Sequence, residues 1–336
     1  LVKQDERMKK LWMKDLRERA PRVHCITNYV TAGDVANLVL AAGGSPIMAQ
    51  GRREVEDVTS ICHSLVLNMG TLEKRTVKAM LLAGRKAREL GHPVILDPVG
   101  VTASAYRRRS AVRVLEGVKP DLIRGNASEI CALEKALRGQ EPGNTAGVDA
   151  VPSGEEEERI RAVRSLAGLT GAVVIMTGAV DLIAGREHVY KIKNGSSMMG
   201  RITGGGCMLD GLLGAFCGCL FLECREDWPE KSQKVRNSQK AQNSQKARKG
   251  VSGRPVPQER LEAAAAAAVS AHGLCGEMAE RMAAEQSTGR WTDRHKGKGA
   301  AEISGTGSGS FRVYFMDAMS CLDDETLERG SRIEIL

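Results

Sequence analysis

The chain has 336 residues, 42% hydrophobic but only 3% aromatic, so its core must be built from Ala, Val, Leu, Ile and Met; its 37 glycines follow no fixed period, which excludes a fibrous, collagen-like chain. The formal net charge is +8, yet eight Lys/Arg and no acid fall within residues 231–254, so the rest of the chain is neutral, and a basic stretch without interleaved aromatics argues against a nucleic-acid partner. Nine cysteines with no CxxC pair and no zinc spacing suit a reducing compartment, and the longest apolar run, Met208–Cys224, is interrupted by Asp210, Glu223 and three glycines, which argues against a membrane span.

Residues 1–20 are charged and helical in pattern, with no signal-peptide pattern, so a cytoplasmic location is expected. Strands are then predicted at Arg22–Ile26, Ser45–Met48, Ser64–Met69, Pro93–Asp97, Asp121–Arg124, Ala172–Thr177, Asp181–Ala184, Val189–Lys193 and Phe311–Met316. Helices are predicted at Gly33–Ala42, Arg53–His63, Glu73–Leu90, Ala127–Leu137, Glu155–Gly168, Gly206–Leu222 and Glu259–Ala284. Continuous apolar strands such as Val94-Ile95-Leu96 and Val173-Val174-Ile175-Met176 imply burial on both faces. Strands alternating with helices imply a three-layer αβα fold around a mostly parallel sheet. Residues 231–248 are three copies of a polar hexamer, KSQKVR, NSQKAQ and NSQKAR, which cannot bury a face and reads as a loop. Arg290–Gly299 reads as another solvated loop.

Several predicted strands end in small or polar clusters: Thr27-Asn28, Asn68-Met69-Gly70-Thr71, Asp97-Pro98-Val99-Gly100, Arg124-Gly125-Asn126 and Thr177-Gly178. Such residues are turn formers, but open α/β sheets also bind ligands at the carboxyl ends of their strands, and five clusters in succession favour a shared site. The sharpest motif is Thr203-Gly204-Gly205-Gly206-Cys207 at the start of an apolar helix. Crowded backbone N–H groups at a helix N-terminus make an anion site of the kind a transferred phosphoryl group needs, although neither the Walker A pattern nor GxGxxG is present. Cys207 in the first turn is either a thiol tuned by the helix N-terminus or a small buried hydrophobe. Asp97 and Glu129 can hold Mg²⁺ against phosphates, while Asn126-x-x-Glu129 also fits a helix capping box. Arg124 at the same strand end can clamp phosphate. His24, Cys25, Thr27, Asn28 and Met48 are read either as the lining of a pocket for a neutral heteroaromatic ligand or as core packing.

Taken in order, VHCITNYVTAGDVANLVLAAGGSPIMA (23–49), LVLNMGTL (65–72), PVILDPVGVTAS (93–104), LIRGNASEI (122–130), VIMTGAVDLI (174–183) and NGSSMMGRITGGGCMLDGLLGAF (194–216) resemble the hydroxyethylthiazole kinase family of the ribokinase-like superfamily. The resemblance covers roughly residues 20–225 and 258–322. It implies phosphorylation of the primary alcohol of 4-methyl-5-(2-hydroxyethyl)thiazole by ATP with Mg²⁺, a salvage step towards thiamine diphosphate. It also implies a homotrimer whose thiazole sites are completed by a neighbouring subunit. On the matching positions, Met48, Gly204 and Asn28 would bind the thiazole, and Arg124, Thr177 and Asn126 would bind ATP. Asp97 and Glu129 would organise the metal, and Gly204, Gly205, Gly206 and Cys207 would form the catalytic loop. Cys207 stands where most ribokinase-like kinases carry an Asp, and Gly205 replaces the family's usual Thr. The expected organisation is a helix at 1–20 and one kinase domain at 21–322, with insertions at 139–154 and 225–257 that exceed the family pattern. A C-terminal tail at 323–336 follows. The rival readings are another kinase of the superfamily, such as one for hydroxymethylpyrimidine or its phosphate, and the superfamily's nucleotide-repair dehydratase.

Overall fold

In a computed structural model, strands β1 (Arg22–Ile26), β2 (Ser45–Ile47), β3 (Ser64–Asn68), β4 (Val94–Asp97), β5 (Leu122–Asn126) and β6 (Val173–Thr177) run parallel in the order β2-β1-β3-β4-β5-β6. Strands β7 (Asp181–Ala184), β8 (Val189–Ile192) and β9 (Ile333–Ile335) extend the same sheet antiparallel. The structure describes residues 13–140, 156–226, 255–287 and 307–336. The three hexamers, the Arg290–Gly299 loop and most of the two expected insertions lie outside the described residues.

Period-2 side chains divide the sheet into two faces. Val23, Cys25, Val66, Ile95, Leu122 and Val173 face one core, which is closed by α1 (Met13–Arg19), α2 (Ala32–Ala42), α8 (Gly205–Glu226), α9 (Gln258–Ser287), α10 (Ser308–Cys321) and α11 (Asp324–Gly330). Leu65, Leu67, Leu96, Ile123 and Val174 face the other, closed by α3 (Val55–Ile61), α4 (Lys74–Leu90), α5 (Ala105–Val118), α6 (Ala127–Leu137) and α7 (Glu156–Thr170). The expected three-layer αβα architecture with a mostly parallel sheet is therefore present. Strand order reverses between β1 and β3, and in doubly wound sheets the crevice at that switch point is where ligands bind.

Three segments differ from the sequence expectation, each for a tertiary reason. Phe311–Met316, expected as a strand because aromatic and β-branched residues favour strands, lies within α10. There Phe311, Phe315, Ala318 and Met319 are buried at helical spacing, and α10 packs on α9. Helix α5 carries Arg107, Arg108, Arg109 and Arg113, which mask its apolar stripe of Ala111, Val114, Leu115 and Val118; its N-cap Ser104 accepts from the Arg107 N–H. Residues 323–336, expected as a tail, hold α11 and β9, the latter paired with β8.

The helix begun by the glycine motif is longer than the apolar run suggested. Gly205–Arg225 has the length and composition to cross a membrane, but 78% of its apolar window is buried inside the protein. It packs on α2, α9 and the undersides of β1, β3 and β4, and so serves as the central core helix.

Candidate active site

The parallel strands deliver their C-terminal residues to one edge of the sheet, and α8 starts above that edge. Asn28 follows β1, Asn68 ends β3, Asp97 ends β4, Arg124 and Asn126 belong to β5, and Thr177 ends β6. Register places Asn68 beside Asp97 and Asn126 beside Thr177. Across from them, Cys207 and Asp210 lie three residues apart on the first turns of α8, on one helix face.

Asp97 and Arg124 form the centre. The Arg124 Nη1 is 3.1 Å from Asp97 Oδ2 and 3.9 Å from Asp210 Oδ1, and its Nη2 donates to Thr177 Oγ1 at 3.0 Å. Asp97 and Asp210 are fully buried. Asn68 Nδ2 donates to Asp97 Oδ2 at 2.8 Å and to Asp210 Oδ2 at 2.9 Å. Ligand atoms of Asp97, Cys207 and Asp210 lie within 4.8 Å of one another. Burial raises the proton affinity of both carboxyls, Asp210 to about 6 and Asp97, which also feels the Asp210 charge, well above its ordinary value, while Arg124 pulls both back down.

The glycine loop is shaped for close approach. Gly204 has φ +85°, and a Cβ there would come within 2.8 Å of the Thr31 side chain. A Cβ on Gly206 would fall on the Arg124 guanidinium, so this glycine is what lets the arginine lie against the start of α8. His272, on α9, hydrogen-bonds the Gly205 backbone, and burial with the nearby Arg124 charge holds its imidazole neutral, down to about 3. The first N–H groups of an α-helix have no intrahelical acceptor, so this helix start adds partial positive charge beside the carboxylate cluster.

Other expected site residues take more specific places. The Cys207 sulfur accepts from Asn28 Nδ2 at 3.3 Å and lies 3.4 Å from Asn68 Nδ2. Asn28 spends its oxygen on the Thr31 N–H and hydroxyl, both at 3.1 Å, so its amide is fully engaged within the protein. Glu129 accepts from the Gly100 N–H at 2.8 Å and the Asn126 N–H at 2.9 Å, and Asn126 returns a bond to the Glu129 N–H at 2.9 Å. The capping-box reading is thus realised in full. The carboxylate brought closest to Asp97 is Asp210, which had read only as an interruption of an apolar run. Met48 is 38% exposed beyond β2, whereas His24 is buried and bonded to Thr59 Oγ1 at 2.9 Å and the Ala49 carbonyl at 2.8 Å, a core histidine. Sequence reasoning also passed over Arg107, whose Nη1 donates to the Met69 and Val99 carbonyls at 2.7 and 2.8 Å and ties the β3 and β4 exits together.

Similarity to known proteins runs through the whole of this architecture. A family model described as the hydroxyethylthiazole kinase family matches residues 13–251. A hydroxyethylthiazole kinase of Desulfovibrio desulfuricans is 40% identical over 325 residues, covering 95% of each chain. One from Clostridium tetani is 52% identical over 206 residues, covering 60% of this chain and 73% of its own. Among solved structures, the hydroxyethylthiazole kinase protein of Pyrococcus horikoshii OT3 superposes with a TM-score of 0.66 at 26% identity, covering 96% of this chain and 97% of its own.

Proposed function

The chain belongs to the hydroxyethylthiazole kinase family, and on that premise we propose that the strand-end site transfers the γ-phosphoryl group of ATP to the primary alcohol of hydroxyethylthiazole, with Mg²⁺ as cofactor. The observation that carries this reading is the meeting of Asp97, Arg124 and Cys207 at the N-terminus of α8, on the switch-point edge of the sheet. A developing phosphoryl charge needs fixed donors, and Arg124 with the N–H groups of the glycine loop supplies them without reorganisation.

The residues fit a divalent cation. Asp97 Oδ1 and Asp210 Oδ1 are buried and without a hydrogen-bond partner, and three buried carboxylates (Asp97, Asp210, Glu129) face one guanidinium. Asp97 would hold the metal, with Glu129 offering its remaining lone pairs to metal-bound water. When bound, Mg²⁺ neutralises charge on the nucleotide phosphates. Arg124 and Thr177 orient the phosphates, and Asn126 sets the start of α6 beside them. The hydroxyethyl oxygen of the substrate forms a bond to the γ-phosphorus as the bond to the β–γ bridging oxygen breaks and ADP leaves. Cys207, held by Asn28, faces the alcohol and positions it; Gly204 keeps that side of the loop free of a side chain. The hydroxyl proton departs towards the Cys207 sulfur or water.

The homotrimer belongs to this proposal. Tyr29 and Val30, beside Asn28, are 75% and 58% exposed, and with Met48 they leave an apolar rim that suits a neighbouring subunit completing the thiazole pocket.

The rival kinase reading separates in a substrate panel. ADP formation is expected to require the thiazole, with kcat/KM for hydroxymethylpyrimidine lower by about 100-fold, the loss caused by mismatched polar groups in a fitted pocket. A preference for the pyrimidine would transfer the function to the other kinase class.

A further inference from the structure

Asn68 carries more of this site than any residue assigned a role above. It is completely buried at the end of β3. Its Oδ1 accepts from Asn28 Nδ2 at 3.1 Å and from the Gly70 N–H at 3.0 Å. Its Nδ2 donates to Asp97 and Asp210, so both hydrogens and the oxygen are used. Only an amide offers an acceptor to one amide and two donors to two carboxylates at once. An aspartate there would repel both neighbours, and an aliphatic residue would leave every partner unpaired in a dry site.

The two sides of this hub belong to different halves of the reaction. Towards β1, Asn68 fixes the Asn28 amide, whose second hydrogen goes to the Cys207 sulfur on the alcohol side. Towards β4, it fixes Asp97 through Oδ2, the oxygen that also meets Arg124 Nη1. Asp210 reaches in from α8 and holds the same amide from above, so the helix that carries the glycine loop is locked to the strand ends.

We propose that Asn68, braced by Asp210, is the positioning residue that keeps the alcohol side and the metal–phosphate side of the site in one register. This rests on the kinase reading and adds to it two residues that touch no reacting atom. Asp97 orientation is the property at stake on one side, Asn28–Cys207 geometry on the other.

The test is steady-state kinetics of Asn68→Ala, Asn68→Ser and Asp210→Asn in the full-length protein, well below each variant's Tm, with the folded fraction measured by circular dichroism. Asn68→Ala is expected to lower kcat about 50-fold and to raise the Mg²⁺ concentration for half-maximal rate about tenfold, since losing the brace misplaces a group aligned for transfer. The thiazole KM should move less than threefold. Asn68→Ser, which retains one donor, should recover at least fivefold of the lost kcat. Asp210→Asn should fold, with a kcat loss smaller than that of Asn68→Ala. A purely structural amide would lower Tm while leaving kcat per folded molecule and the Mg²⁺ requirement as in the wild type, and that result overturns the assignment. Should Asn68→Ala not fold, an Asn68→Ser enzyme with wild-type kcat and Mg²⁺ dependence overturns it equally. A folded wild-type protein that turns over no thiazole removes the kinase reading and this assignment together, whereas wild-type turnover with unaffected variants removes this assignment alone.

Discussion

Replacing Arg124 with Ala is expected to lower kcat/KM for ATP about 1000-fold, or ~4 kcal/mol of transition-state stabilisation, with the thiazole KM nearly unchanged. The guanidinium is the one cation in contact with the buried carboxylate cluster among the described residues, and it spans Asp97 and Thr177 from β5. Removing it deprives the transferred group of its charged donor and leaves Asp97 and Asp210 facing each other with only Asn68 between them. Since Arg124 lowers the proton affinity of both carboxyls, its loss drives both further towards the neutral form, the wrong state for holding a cation. Breaking a buried pair also costs stability, about 3 kcal/mol, so Tm should fall as well. Arg124→Lys separates the effects: it restores charge but not the two-pronged geometry, and should regain stability more fully than activity. Kinetics in both substrates, read beside Tm, check this; a defect confined to the thiazole KM would place Arg124 on the wrong half of the site.

Gly206→Ala is expected to lower kcat about 100-fold, ~2.7 kcal/mol, and to lower Tm as well. Alanine is the better helix former by ~1 kcal/mol, and Gly206 lies in the first turn of α8, but that gain is smaller than the ~3 kcal/mol cost of breaking the buried Arg124–Asp97 pair. The added methyl would occupy the place of the Arg124 guanidinium, forcing it off Asp97 and Thr177. The pattern should therefore follow that of Arg124→Ala, a loss in kcat and in stability with the thiazole KM nearly unchanged. Differential scanning calorimetry with initial rates tests it; a Gly206→Ala enzyme as active as the wild type would mean that the approach of Arg124 to the helix start is incidental.

Strand ends, glycine loop and αβα layering are legible in the residues themselves, because period-2 burial, turn chemistry and helix starts are local signals. Arg124, Asp97 and Cys207 can be singled out on that basis. Asn68 and Asp210 cannot, because their meaning arises only when β3 and α8, 142 residues apart, bring the amide and the carboxyl to 2.9 Å. In sequence, Asn68 reads as one more turn former and Asp210 as a flaw in an apolar run. Glu129 shows the converse, for its capping box is a local pattern and the structure contains it complete. Phe311–Met316 misleads because aromatic residues chosen for packing between α9 and α10 carry strand propensity. Strand β9 is hidden because three exposed residues acquire strand character only from the edge of β8.

The most direct measurement of the central claim is ³¹P NMR of the purified protein with ATP, Mg²⁺ and hydroxyethylthiazole. The expected result is loss of the γ-phosphate signal with growth of a phosphomonoester signal coupled to the adjacent CH₂ protons, one ester for each ADP formed. That signal should be absent without the thiazole and abolished by EDTA. Release of inorganic phosphate in place of the ester, or unchanged ATP with folded protein and all components present, would contradict the assignment of this site to thiazole phosphorylation.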